Sequence, residues 1–172
     1  MPRSIWSESL AGFSDSVAAT RPAPAGVAAA AVAAELGISL LIKTLAITGG
    51  HGDLLAAARR ESAHLRGAAD DDIGAVMEYM RTRDDVALRQ AIEAPLRAAR
   101  AALAGLEFCA QASVVVKPAL AADLGAAQAL LRGALQAILL CIDANLLGRE
   151  AEHRDALAER QAIEARARLL SS

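Results

Sequence analysis

An all-α bundle of about six helices is what this sequence predicts, and three observations carry that expectation. Hydrophobic residues make up 55% of the chain while aromatics make up only 2%, so the core has to be built from Ala, Leu, Val and Ile. Alanine is the best helix former and lets helix axes approach closely, which favours tight helix packing over a sheet. Strand-type runs are nearly absent, with Val114 to Val116 the one short instance. At 172 residues the chain fits one domain, and no linker is long enough to divide it, so 1–172 reads as a single unit.

The first helix is expected from about Ile5 to Ala19, with Ser4 as N-cap and Ile5, Trp6, Leu10, Phe13 and Val17 on one apolar face. The segment Thr20-Arg-Pro-Ala-Pro24 breaks it. A second helix, Ala25 to about Ile47, is apolar nearly all round, the mark of a central helix. Thr48-Gly-Gly-His-Gly52 ends it, since consecutive glycines stop helices. The third spans about Asp53 to Arg81, with Leu54, Leu55, Ala58, Leu65, Ile73, Val76, Met77 and Met80 as its buried stripe. The fourth covers about Asp84 to Ala112, with Val86, Ile92, Leu96, Leu103 and Leu106 inward. Pro95 lies inside it and should kink or split it. After a Val114–Pro118 loop, the fifth runs from about Ala119 to Leu146 and is again apolar on most sides. The last, about Glu150 to Leu170, is charged, with Leu157, Ile163 and Leu170 inward and Glu164 placed to pair with Arg168.

Charge and composition exclude several classes. Eighteen Lys and Arg against 20 Asp and Glu give a formal charge of −2, no footprint for nucleic acid, and the few aromatics offer no base-stacking platform. Cys109 and Cys141 sit in apolar context and read as small packed residues of a reducing, cytoplasmic compartment. His51, His64 and His153 have no metal-ligand spacing, so no metal site is expected. MPRSIWSESL does not read as a secretory signal. Val27 to Ile47 and Leu124 to Leu147 approach spanning length, but Glu35 and Lys43 interrupt the first and Arg132 and Asp143 the second; both read as core helices and no membrane span is expected. Because both are apolar on more sides than six helices can cover, a two-fold homodimer is expected.

Four segments stand out when read in order: Arg21-Pro-Ala-Pro-Ala-Gly-Val-Ala28, Ala69-Asp-Asp-Asp-Ile-Gly-Ala75, Ala94-Pro95-Leu96, and Ala122-Asp123-Leu124 with the helix that reaches Asn145-Leu146. Together they resemble the cyclodeaminase/cyclohydrolase family of one-carbon folate metabolism. Arg21-Pro-Ala-Pro-Ala-Gly-Val-Ala28 stands where that family has Pro-x-Pro-Gly-Gly-Gly before an Ala-rich helix. Ala69-Asp-Asp-Asp-Ile-Gly-Ala75 is similar to a segment in which an Asp precedes Ala-Phe. Ala94-Pro95-Leu96 is like its x-Pro-Leu in mid-helix. Ala122-Asp123-Leu124, followed by a small-residue-rich helix reaching Asn145-Leu146, is like Ser-Asp followed by two asparagines one turn apart. The departures fall at site-like positions: two glycines of the first motif are replaced, the first asparagine is Cys141, the serine is Ala122, and a lysine-rich stretch is Gly49-Gly-His-Gly52.

The resemblance implies an all-helical homodimer without bound cofactor, acting on tetrahydrofolate or a related reduced pterin as a cyclohydrolase or an ammonia-expelling cyclodeaminase. The alternative it leaves open is a non-catalytic paralogue that binds a small molecule or a protein partner. Either reaction needs a proton-transfer group titrating near neutral pH. Asp123, at the start of an apolar helix, is the first candidate and Asp72 the second; a helix-end charge and a solvated acidic face are their bland readings. Pro24 and Gly26 of the altered loop, Lys43, His51, Arg132 and Asn145 are the candidate substrate contacts. Asn145 is equally explained as a helix C-cap, and Arg132 as a structural ion pair. Asp123 is expected in a cleft shared with Asn145 and the Pro24–Val27 loop.

Overall fold

The computed structural model describes residues 4–170. These form six α-helices: α1 (Leu10–Ala18), α2 (Gly26–Thr48), α3 (Gly52–Thr82), α4 (Asp85–Ala112), α5 (Ala121–Leu146) and α6 (Arg154–Leu169). Short 3-10 turns stand at Ile5–Ser7 and Pro118–Leu120, and the described residues contain no strand. The four long helices close a bundle in which α2 packs on α3 and α5, and α4 packs on the same two from the other side. Gly26 meets Cys141 while Lys43 meets Asp123, so α2 and α5 run antiparallel.

Alanine lets these axes approach, and two glycines take the approach further. A Cβ on Gly37 would stand 2.9 Å from Leu131 Cγ and 3.0 Å from the Ala127 carbonyl oxygen. One on Gly105 would stand 3.0 Å from Leu131 Cδ2. Leu131 of α5 therefore fills a socket made by missing side chains on α2 and α4. The same core holds Ile38, Leu41, Leu45, Leu65, Leu96, Leu135, Ile138, Ile142 and Leu146, all fully buried. Both cysteines are free, Cys109 within this core. α2 and the Pro118–Leu146 segment are each long and apolar enough to cross a membrane by length and composition; half of the most apolar window of α2 is buried inside the bundle, and 39% of that of the other.

Several expected boundaries and faces need correction. The first helix is interrupted after the turn at Ile5–Ser7, because the Ser9 side chain accepts from Gly12 N at 3.0 Å and starts α1 afresh. Only Phe13 of α1 is buried; Leu10 and Val17 face out. Met77, Met80 and Val86 also lie outward rather than in the core. The Ser4 cap is present, on the 3-10 turn: its hydroxyl accepts from Trp6 N at 3.3 Å. α6 begins four residues later than expected and buries only Ile163. Ion pairs hold it down: Glu159 with Arg100, Arg160 with Asp143, and Arg166 with Glu107. Glu164 pairs with Arg168 as the spacing implied.

Pro95 neither splits nor ends α4, which runs unbroken from Asp85 to Ala112. A proline lacks the N–H that would bond the carbonyl four residues back, here that of Ala91. Asn145 of α5 supplies the missing donor: its Nδ2 donates to Ala91 O at 3.0 Å.

Candidate functional site

The eight residues singled out in the sequence do not come together. They fall into two groups at opposite ends of the α2–α5 pair, with Arg132 between. Pro24, Gly26, Asp72 and Asn145 lie at the N-terminal end of α2; Lys43, His51 and Asp123 lie at its other end. Gly26 and Lys43 are 17 residues apart on one unbroken helix, about 25 Å along its axis at ~1.5 Å per residue. The single cleft expected to hold Asp123 beside Asn145 and the Pro24–Val27 loop is thus not formed by one chain.

At the far end, Asp123 Oδ2 accepts from Lys43 Nζ at 2.6 Å, with side chains 36% and 53% exposed. Lys117 also reaches this end, donating from Nζ to Ile47 O at 2.7 Å. His51 precedes α3, and its carbonyl accepts from Leu55 N at 3.0 Å. It lines a small cleft of about 350 Å³ with Gly50, Asp53, Gln111 and Val115. Arg132 donates from Nη2 to Leu170 O at 3.1 Å, which ties α5 to the end of α6. The two charges that interrupt the apolar run of α2 divide in the same way. Lys43 is exposed, but Glu35 is 2% exposed and accepts from Arg66 Nη2 at 2.8 Å and Ser62 Oγ at 2.9 Å on α3.

The near end is built differently. Asp72 projects from α3 into the bundle and is 3% exposed. Its Oδ1 is buried and has no hydrogen-bond partner. Its two acidic neighbours on α3 are engaged elsewhere. Asp70 accepts from Ser4 Oγ at 2.6 Å and Ile5 N at 3.0 Å, docking the N-terminal turn, and Asp71 pairs with Arg97 at 2.8 Å. Burial without a compensating cation disfavours the charged carboxylate and pushes the Asp72 pKa up to about 6. Facing it from α5 is Cys141, whose thiol is pushed up by burial and by the Asp72 charge. A Cβ on Gly26 would lie 2.8 Å from Cys141 Sγ. α2 begins here at Ala25 with no side-chain cap, so its first N–H groups are free of any internal partner. Asn145, one turn beyond Cys141, has its amide nitrogen committed to the Ala91 carbonyl. As a substrate contact it therefore has its oxygen to offer, and it is not a C-cap. In the sequence Cys141 stands out only as a departure from the family pattern. Nothing there places it beside Asp72, because that contact joins α3 to α5 across the fold.

Residues 9–163 match the family model described as formiminotransferase-cyclodeaminase. A search of curated proteins found no match. Among solved structures, formiminotetrahydrofolate cyclodeaminase from Thermotoga maritima superposes with a TM-score of 0.88, covering 96% of this chain and 93% of that one at 21% sequence identity. That likeness is one of fold.

Proposed function

Because the chain belongs to the formiminotransferase-cyclodeaminase family, we propose that it acts on a one-carbon-substituted reduced folate or related tetrahydropterin, with Asp72 as the proton-transfer group. The observation that supports this is a buried, unpartnered carboxylate whose pKa stands at about 6, near where a general acid–base works best. In the cyclohydrolase direction, ionised Asp72 takes a proton from the water that attacks the methenyl carbon and returns it to the ring nitrogen as the C–N bond breaks; the water's second proton leaves to solvent and a formyl product remains. In the cyclodeaminase direction, protonated Asp72 gives its proton to the departing ammonia as the ring closes. In both, the bridged methenyl species, substrate of the first reaction and product of the second, carries a delocalised positive charge. A buried carboxylate with no cation of its own gains most from such a partner.

The crowding of Gly26 by Cys141 favours a second reading, a paralogue that binds a reduced pterin without turning it over. The two separate on one measurement: the decay of methenyl-tetrahydrofolate absorbance with purified protein, alongside calorimetric binding of tetrahydrofolate. Turnover that Asp72→Asn abolishes supports the enzyme. Binding without turnover supports the paralogue, and neither binding nor turnover overturns both.

We further infer a two-fold homodimer through the outer face of α2 and α5. Leu36 is 53% exposed and Leu140 is 69% exposed, and Leu130 and Ile47 are also exposed on the same two helices. Apolar surface of this kind on adjacent helices is ordinarily covered. Light scattering in detergent-free buffer should return twice the chain mass. A monomer, or a protein recovered only with membranes, would refute the dimer.

A further inference from the structure

A second polar cluster lies beyond Asp72 on α3. Tyr79 follows Asp72 by seven residues, which puts it on the same face of the helix and ~10 Å further along the axis. Two guanidinium groups flank its ring: Arg83 at 5.3 Å from the centroid and Arg149, from the turn after α5, at 5.9 Å. Arg149 Nη2 also donates to the Tyr79 hydroxyl at 2.9 Å. Among the described residues neither arginine has a carboxylate partner, although acids are close by. Those acids are engaged elsewhere. Glu78 pairs with Arg81 at 2.5 Å, Asp84 caps α4 by accepting from Ala87 N at 2.8 Å, and Glu150 accepts from Gly148 N at 3.0 Å.

The backbone at Arg83 is the independent observation. It terminates α3 in the left-handed conformation, φ 58°, and is the one non-glycine residue with positive φ among those described. Glycine is the usual occupant of such a position because it has no Cβ to strain. Here an arginine holds it, and that arginine brings a second cation to one aromatic ring. Planar guanidinium groups prepositioned in this way suit bidentate recognition of carboxylates.

We propose that Tyr79, Arg83 and Arg149 bind the carboxylate tail of the reduced folate whose one-carbon centre meets Asp72. The inference rests on the function proposed above. The ~10 Å between Asp72 and Tyr79 along α3 is comparable to the reach of a p-aminobenzoyl arm with its amide. The cluster is then a specificity determinant: it separates folates from pterins without an acidic tail.

The test is calorimetric titration of p-aminobenzoyl-L-glutamate, which is all tail, and of 6-methyltetrahydropterin, which has none, into wild type, Arg83→Gly and Arg149→Gln. Loss of one charge-assisted contact should weaken the tail ligand about tenfold in each variant and leave the tail-less pterin unchanged. Arg83→Gly should melt at the same or a higher temperature, because glycine relieves the backbone; a merely structural arginine would lower it. A wild-type protein that does not bind p-aminobenzoyl-L-glutamate, or an Arg83→Gly protein that binds it as well, overturns the proposal. Failure of 6-methyltetrahydropterin to bind counts against the proposed function and leaves the tail site to be judged by the other ligand.

Discussion

The two ends of the α2–α5 pair hold the same chemical group in opposite circumstances. At one end Asp123 meets Lys43 in the open, where water screens both charges and little depends on the pair. At the other, Asp72 is buried with no cation and no donor on Oδ1. The exposed carboxylate has a partner it scarcely needs, and the buried one lacks the partner it needs most. A protein carries a cost of that kind where something outside the chain completes the site. The function proposed above accordingly rests proton transfer on Asp72 and not on Asp123.

The sharpest way to break the contrast is Asp72→Asn. Loss of a general acid–base should lower turnover by about 10²–10⁴-fold, while stability moves the other way. The folded pKa of about 6 lies above the ordinary 3.8, so between those values the folded protein binds more protons than the unfolded one. The stabilisation from this proton is fully present below about pH 4 and is lost as pH rises through about 6, a fall of roughly 3 kcal/mol. Denaturant midpoints across pH 4–8 should show that slope in wild type and lose it in the variant. A slope shared by both proteins would place the titration elsewhere.

Gly26→Ala presses on the same end from α2. Its new Cβ would stand 2.8 Å from Cys141 Sγ, and overpacking of this sort costs about 1–3 kcal/mol. Cys141→Ala should return most of the loss if the sulfur is the obstacle. An equal penalty in both backgrounds would trace it to the helix start instead.

Asn145→Ala leaves the Ala91 carbonyl without its donor, a loss of about 1–3 kcal/mol. In a Pro95→Ala background the helix supplies its own N–H, so the penalty should shrink by about 1 kcal/mol. Additive effects in thermal denaturation would show the two residues to be independent. The smallest effect is expected from Asp123→Asn, which should change stability by less than about 1 kcal/mol and leave turnover within a factor of about two of wild type. A large activity loss there would reverse the assignment of the two ends.

These expectations also mark what the sequence could convey. Helix type and order follow from local signals, so the Ala-rich α2, the glycines after it and the start of α4 near Asp84 were all legible. Pro95 was legible as a missing donor, but the amide that replaces it comes from Asn145 on another helix, and no periodicity points to it. The same holds for the site. Asp72 could be named as a carboxylate on a helix, yet its burial depends on how α3 turns against α2 and α4. Asp123 looked better because it begins an apolar helix; its lysine partner is 80 positions away. Met77 and Met80 were misjudged for a related reason: an apolar stripe fixes a face, and tertiary packing decides how much of that face is covered.

Trp6 gives the N-terminal turn an optical signature of its own. It is the single tryptophan of the chain, and its indole Nε1 donates to Arg66 O at 3.0 Å while the Arg66 guanidinium stacks 5.3 Å from the ring. Its emission therefore reports whether residues 4–7 are seated on α3, and says little directly about the aromatic-poor centre of the bundle. Release of this turn ahead of the helices should appear as a fluorescence transition that precedes the loss of helical ellipticity. For this molecule, a melting curve followed by tryptophan emission alone would date the departure of a strap.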